Sequence, residues 1–92
     1  MSGAPPAGYM PRLAPGARLA YDGRRGQWLI QAPERFVLLD EIAHAVVSRL
    51  DGRTRLAQVI DGLAGDYGAP RAEVAADVTT LITDLVERGV VR

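Results

Sequence analysis

The sequence predicts an α+β domain in which three antiparallel strands precede three helices. Three observations carry this. Between positions 18 and 39, three short apolar runs are separated only by turn residues. From Asp40 onward, apolar residues recur at helical spacing. Asp51-Gly52 and Pro70 then punctuate that second half where one helix should end and another begin.

The first run, Arg18-Leu19-Ala20-Tyr21-Asp22, alternates and leads into Asp22-Gly23, a favoured turn pair. Gln27 to Ala32 holds Trp28, Leu29 and Ile30 and stops at Pro33-Glu34; Phe36-Val37-Leu38-Leu39 follows at once. Runs this close together form a meander, with Gln27–Ala32 in the centre and the others at the edges. Pro33 falls in the connection, where its missing N–H costs nothing.

Asp40 is the predicted N-cap of the first helix, with Ile42, Val46 and Leu50 as its buried stripe and Asp51-Gly52 as its end. Thr54 is the predicted cap of the second, whose stripe is Leu56, Val59, Ile60, Leu63 and Tyr67. Gly62 and Gly65 each weaken that helix by roughly 1 kcal/mol relative to Ala, so fraying is expected after Leu63. Pro70 opens the third helix, Val74, Val78, Leu81, Ile82 and Leu85 form its buried stripe, and Gly89 closes it. The whole is a three-stranded antiparallel meander followed by a three-helix bundle, winged-helix-like in make-up. Residues 1–17 are rich in Pro, Gly and Ala without period and read as a flexible arm, with a docked or dimer-exchanged arm as the alternative that Tyr9, Met10 and Leu13 raise; residues 18–92 are the domain.

At 92 residues, 48% apolar and 24% charged, the chain is long enough for one globular core and no more. It contains no cysteine, which excludes disulfides, thiolate metal sites and cysteine nucleophiles. No apolar run is long enough to span a bilayer and no signal pattern opens the chain, so a soluble, cytoplasmic protein is expected. A net charge of zero hides an asymmetry: residues 1–39 carry +3 and residues 40–92 carry −3. All eleven basic residues are arginine, which a GC-rich coding sequence explains as well as any function does.

Groups for catalysis are scarce. His44, the sole histidine, lies roughly 140° from the centre of the Ile42/Val46/Leu50 stripe and is expected in solvent. Ser2 and Ser48 have no base partner in sequence. Asp40 is explained by capping, and Asp77, Asp84 and Glu87 by a solvated helix face. Gly23-Arg24-Arg25-Gly26 makes a hairpin turn rather than a phosphate loop. Neither a catalytic site nor a metal or other cofactor is expected. The second and third helices have helix-turn-helix spacing, but Glu73, Asp77, Asp84 and Glu87 on the third would repel a phosphate backbone. A binding role remains: Phe36–Leu39 lies on an open sheet edge beside an apolar helix, where an extended peptide can add a strand.

Several segments then resemble a known family in order and spacing. Pro11, Leu13, Gly16 and Arg18-Leu19 come first, then Trp28-Leu29-Ile30-Gln31-Ala32-Pro33-Glu34, Val37, Leu39, Asp40 and Ala43. Asp51-Gly52-Arg53-Thr54, Ile60, Leu63, Tyr67, Asp77-Val78 and Leu81 to Leu85 complete the likeness, which runs from about Pro11 to Val91. Together they resemble the PqqD family of pyrroloquinoline quinone biosynthesis. Arg35 stands where that family often has Gly, and Asp40 replaces the usual Asn. Both fit: Asp caps a helix as well as Asn does, and a type I turn accepts a non-Gly residue.

The resemblance implies a non-catalytic, leader-recognition element that binds the precursor peptide PqqA and presents it to the radical SAM enzyme PqqE. The iron–sulfur cluster and SAM would belong to that partner. Carried onto this sequence, the peptide groove involves Arg35, Phe36, Val37 and Leu38 with Val78, Leu81, Ile82 and Leu85. Two other readings stay open: a leader-binding domain for a different modified peptide, and a winged-helix DNA-binding protein. No nucleic acid or membrane partner is expected, and the chain is read as a monomer or homodimer.

Overall fold

A computed structural model describes Pro6 and residues 8–92. Three strands, β1 (Arg18–Asp22), β2 (Gln27–Ala32) and β3 (Arg35–Leu39), are followed by helices α1 (Glu41–Val47), α2 (Leu56–Tyr67) and α3 (Arg71–Glu87). The sheet is an antiparallel meander in the order β1-β2-β3. Its register pairs Leu19 with Ile30 and Ile30 with Val37, so these three share the face turned to the helices. Ala20, Leu29 and Leu38 form the matching row on the opposite face.

The core lies between that inner sheet face and the helices. Ile30 contributes from the sheet, Val46 from α1, Val59 and Leu63 from α2, and Ile82 and Leu85 from α3, each nearly inaccessible to water. Burial of such side chains stabilises by roughly 1.5–3 kcal/mol each. No polar side chain is buried among the described residues, so packing alone organises this interior.

Helix ends follow local chemistry, with two departures from expectation. Asp40 caps α1 as predicted, accepting from the Ala43 N–H at 2.7 Å. Thr54 does not cap α2, because Asp51 captures its N–H and hydroxyl. The helix starts one residue later, and Gln58 reaches back to accept from the Arg55 N–H at 3.0 Å. Nor does α2 fray after Leu63. It continues to Tyr67 and is closed by Gly68, whose φ of 59° lets Ala69 N–H reach the Ala64 carbonyl. Tyr67 thereby leaves the stripe and faces solvent. At the end of α3, Gly89 (φ 78°) turns the chain so that Val90 N–H bonds the Leu85 carbonyl and Val90 folds back into the core.

Helix α1 is shorter than its pattern. It ends at Val47, where the Ser48 hydroxyl and N–H both donate to the His44 carbonyl, and Leu50 lies beyond it. Ala43, Val46 and Val47 are its buried residues, and Ile42 is exposed. This rotation of the core face leaves His44 half-buried against the end of the sheet. Its ring stacks on Trp28 with centroids 4.2 Å apart and planes at 15°, and Tyr21 tilts against the same indole at 5.0 Å.

The expected flexible arm is, over its described part, laid onto the domain. Arg12 and Arg92 exchange two backbone hydrogen bonds (2.9 and 2.7 Å), and Ala14 N–H donates to the Val90 carbonyl. Pro11 is fully buried, its carbonyl accepting from Gly52, while Tyr9 accepts from Leu56 N–H. Burial pushes the Tyr9 phenol above its ordinary pKa. Of the apolar residues that favoured a docked arm, Tyr9 and Leu13 pack against the core and Met10 is exposed, while Pro11 is an anchor the Pro-rich pattern concealed. Positions 1–5 and 7 of that arm lie outside the described residues. Among the described residues no helix is long and apolar enough to cross a membrane.

Candidate functional site

The connection between β2 and β3 determines what the sheet edge offers. Pro33 and Glu34 form a two-residue turn with Glu34 at φ 61°. Pro cannot take a positive φ, so the pair is a type II turn, not the type I form that a non-Gly Arg35 would allow, and Glu34, not Arg35, occupies the left-handed position. A two-residue connection closes on a hydrogen-bonded pair, here Ala32 with Arg35. Alternation then makes Ile30–Val37 and Trp28–Leu39 the other bonded pairs. The Leu39 carbonyl also takes a bond from the Gln27 amide at 2.7 Å, on the β2 side. Phe36 and Leu38 therefore direct their backbone N–H and C=O away from β2, to the open edge.

Beside that edge runs a groove of about 490 Å³ between β3 and α3. Phe36, Val37, Leu38 and Leu39 form its strand wall, Leu81, Asp84, Leu85 and Arg88 its helix wall, with Asp40 and Ala43 at one end. A smaller hollow lined by Ile42, Asp77 and Val78 continues it along α3 and shares Asp40, Ala43 and Leu81 with it. At the other end Arg35 donates from its guanidinium to the Arg88 carbonyl, tying the start of β3 to the end of α3. Arg88 also pairs with Asp84 at 2.9 Å.

Of the residues named from sequence, Phe36, Val37, Leu38, Leu81 and Leu85 meet in the main groove, and Val78 lines its continuation. Ile82 does not line the groove; it is 2% exposed and belongs to the core. Val78 and Leu85 are also core residues, so they present a floor rather than free side chains. Arg35 spans the groove's end instead of lining it. Sequence reasoning missed Asp84, Arg88, Ala43 and Asp40. The first two fall one turn apart on α3, on the side next to Leu81 and Leu85, a spacing that reads as a solvated face until β3 is placed beside it.

Among the described residues no three His, Asp or Glu side chains cluster as metal ligands. Arg71 at the start of α3 pairs with Asp61, and Arg88 at its C-cap with Asp84, which leaves Glu73, Asp77 and Glu87 to set the field of that helix.

A family model described as "Coenzyme PQQ synthesis protein D (PqqD)" matches residues 27–91. The chain belongs to the PqqD family. A curated relative from Xanthomonas oryzae pv. oryzae, named PqqA binding protein, is 45% identical over 82 residues, 89% of each chain. One of the same name from Rhodopseudomonas palustris is 43% identical over 86% of this chain and 78% of its own. The solution structure of the PqqD truncation of Methylobacterium extorquens PqqCD, described as a stand-alone recognition element for ribosomally synthesized, modified peptides, superposes with a TM-score of 0.76. It is 35% identical and covers 89% of this chain and 87% of its own. The crystal structure of PqqD from Xanthomonas campestris gives 0.62 at 40% identity, over 95% and 97%. PqqD proteins are recognition elements of quinone cofactor synthesis rather than enzymes, and their order of three strands and three helices is the order found here.

Proposed function

We propose that this chain binds the precursor peptide PqqA as a fourth strand on the edge of β3, in the groove against α3, and presents it to the radical SAM enzyme PqqE. The observation that carries this is the outward-facing backbone of Phe36 and Leu38 above an open groove floored by Leu81 and Leu85. Main-chain bonds from an added strand supply affinity, and alternate side chains entering the groove supply selectivity. Of the residues taken from the family, Phe36 and Leu38 give the backbone bonds, and Val37, Leu81, Val78 and Leu85 form the side-chain bed. Arg35 holds the end of the groove, and Ile82 supports from the core. The PqqA binding protein relatives support the identity of the peptide.

Titration of isotope-labelled protein with synthetic PqqA tests the reading. The amide signals of Phe36, Leu38, Leu81 and Asp84 should move most. Saturable shifts confined to the β1 edge, or no shift at all, would overturn it. For the second half, PqqE should join the Glu and Tyr side chains of PqqA faster with this chain present than without it. Equal rates would remove the presenting role and leave the binding role intact.

A further inference from the structure

The sheet has a second apolar face that the core does not use. Ala20, Leu29 and Leu38 stand in one row across its three strands, on the side turned away from the helices, and Phe36 stands in the next row with Gln31 and Arg18. None of these four apolar residues belongs to the packed core. Phe36 and Leu38 are 59% and 52% exposed. The face holds a hollow of about 810 Å³, larger than the 490 Å³ groove, with Asp22, Arg25, Glu34 and Arg35 on its rim. A sheet with one face on a core ordinarily turns polar side chains to water on the other. A contiguous apolar centre inside a polar rim is instead the make-up of a protein interface.

The identity of the occupant follows from shared residues. Phe36 and Leu38 direct their backbone to the open edge and their side chains to this face, so a strand added to β3 becomes the fourth strand of the same surface. Every second side chain of that strand enters the groove against α3, and those between stand beside Phe36 and Leu38. A second protein that reaches the held strand at its outward side chains therefore meets this face as well. The inner face cannot serve, because the helices pack on it. The rim is of mixed sign, and Arg25 is paired with Asp22 at 3.7 Å, so the apolar centre rather than a single-signed field does the selecting.

Resting on the reading of the groove as the precursor's seat, we propose that the outer sheet face docks the enzyme that acts on the bound peptide, through an apolar contact patch on that enzyme. The filled groove completes the docking surface: the empty chain offers three strands and the loaded chain four. Peptide and enzyme thus favour each other's binding, and linkage makes the coupling equal in both directions.

The test uses the full chain, synthetic PqqA and purified PqqE. Ala20→Arg and Leu29→Thr alter the outer face on the two strands that do not form the open edge. The first sets a charge in the apolar row; the second shortens the apolar side chain but keeps a strand-forming residue. Both should bind PqqA within about twofold of wild type, which also reports that they fold, and each should weaken binding of the loaded chain to PqqE by about tenfold. Glu73→Arg, an exposed change on α3, should leave PqqE binding unaltered. Wild type should bind PqqE more tightly with PqqA present than without it. Undiminished PqqE affinity in both face variants, or equal affinity of wild type with and without PqqA, would overturn the proposal and leave the groove's role standing. So would sedimentation showing a wild-type dimer that Ala20→Arg dissociates, because the face would then belong to a second copy. Failure of wild type to bind PqqA would overturn the groove reading itself, and the docking proposal with it.

Discussion

The imidazole of His44 lies face to face with the indole of Trp28, ring centroids 4.2 Å apart, and so joins α1 to the central strand. A stacked pair of this kind adds about 0.5–1.5 kcal/mol beyond the area it buries. His44→Ala should therefore destabilise the fold by about that amount in chemical denaturation. Trp28 is the only tryptophan, so its emission should also change in the folded variant. An unchanged midpoint and spectrum would mean that the rings do not hold together in solution.

Proline substitution separates the two parities of β3. Phe36→Pro removes an N–H that faces the open edge, so the variant should fold and lose peptide affinity. Val37→Pro removes a bond to Ile30 from the sheet and places a ring where the ladder passes, so it should unfold at low denaturant. Phe36→Ala controls for the lost ring. Circular dichroism and peptide titration decide the matter, and a folded Phe36→Pro variant with full affinity would exclude strand addition.

Leu63 and Leu81 have different neighbours. Leu63 is 3% exposed within the core, and Leu63→Ala should cost about 2–5 kcal/mol. Leu81 is half-buried on the groove wall, so Leu81→Ala should cost less stability and more peptide affinity. Equal losses of stability would place Leu81 in the core instead.

Asp51 ties the α1–α2 connection. The backbone N–H groups of Arg53 and Thr54 donate to its carboxylate, each at 2.8 Å, and hold its pKa below the ordinary aspartate value. A group lowered in this way contributes stability that is present above its unfolded pKa and lost as pH falls through its folded one. Wild type should thus be more stable than Asp51→Ala at neutral pH, and the gap should close as acidification passes below the ordinary aspartate range. A gap that is constant across that range would assign the effect to geometry rather than to charge.

Much of this was legible from periodicity. The strands, their order and the α3 stripe follow from alternation, turn residues and helical spacing, and the structure adds only Arg35 to the third strand. What periodicity could not give is where a short helix stops. With only seven residues in α1, counting Leu50 as helical rotated the inferred core face, so Ile42 was put inside and His44 outside. Docking of the arm was not legible for a related reason: its partners, Gly52, Leu56 and Val90 to Arg92, lie far along the chain. The candidate groove was half legible. Its apolar wall shows in the pattern, but the closing of its end by Arg35 and Arg88 depends on the start of β3 meeting the end of α3, a relation that no local window contains.

The exchange of backbone bonds between Arg12 and Arg92 makes the fold nearly a closed loop, with its seam held like the last rung of a ladder. Entry and exit of the chain are then a matter of where the ring is cut rather than of how it folds. A circular permutant that joins Arg92 to the arm through a short linker, and opens between Arg24 and Arg25 in the exposed β1–β2 turn, should keep every element in place. The cut would leave β3 and α3 untouched and move both free ends to the far corner of the sheet.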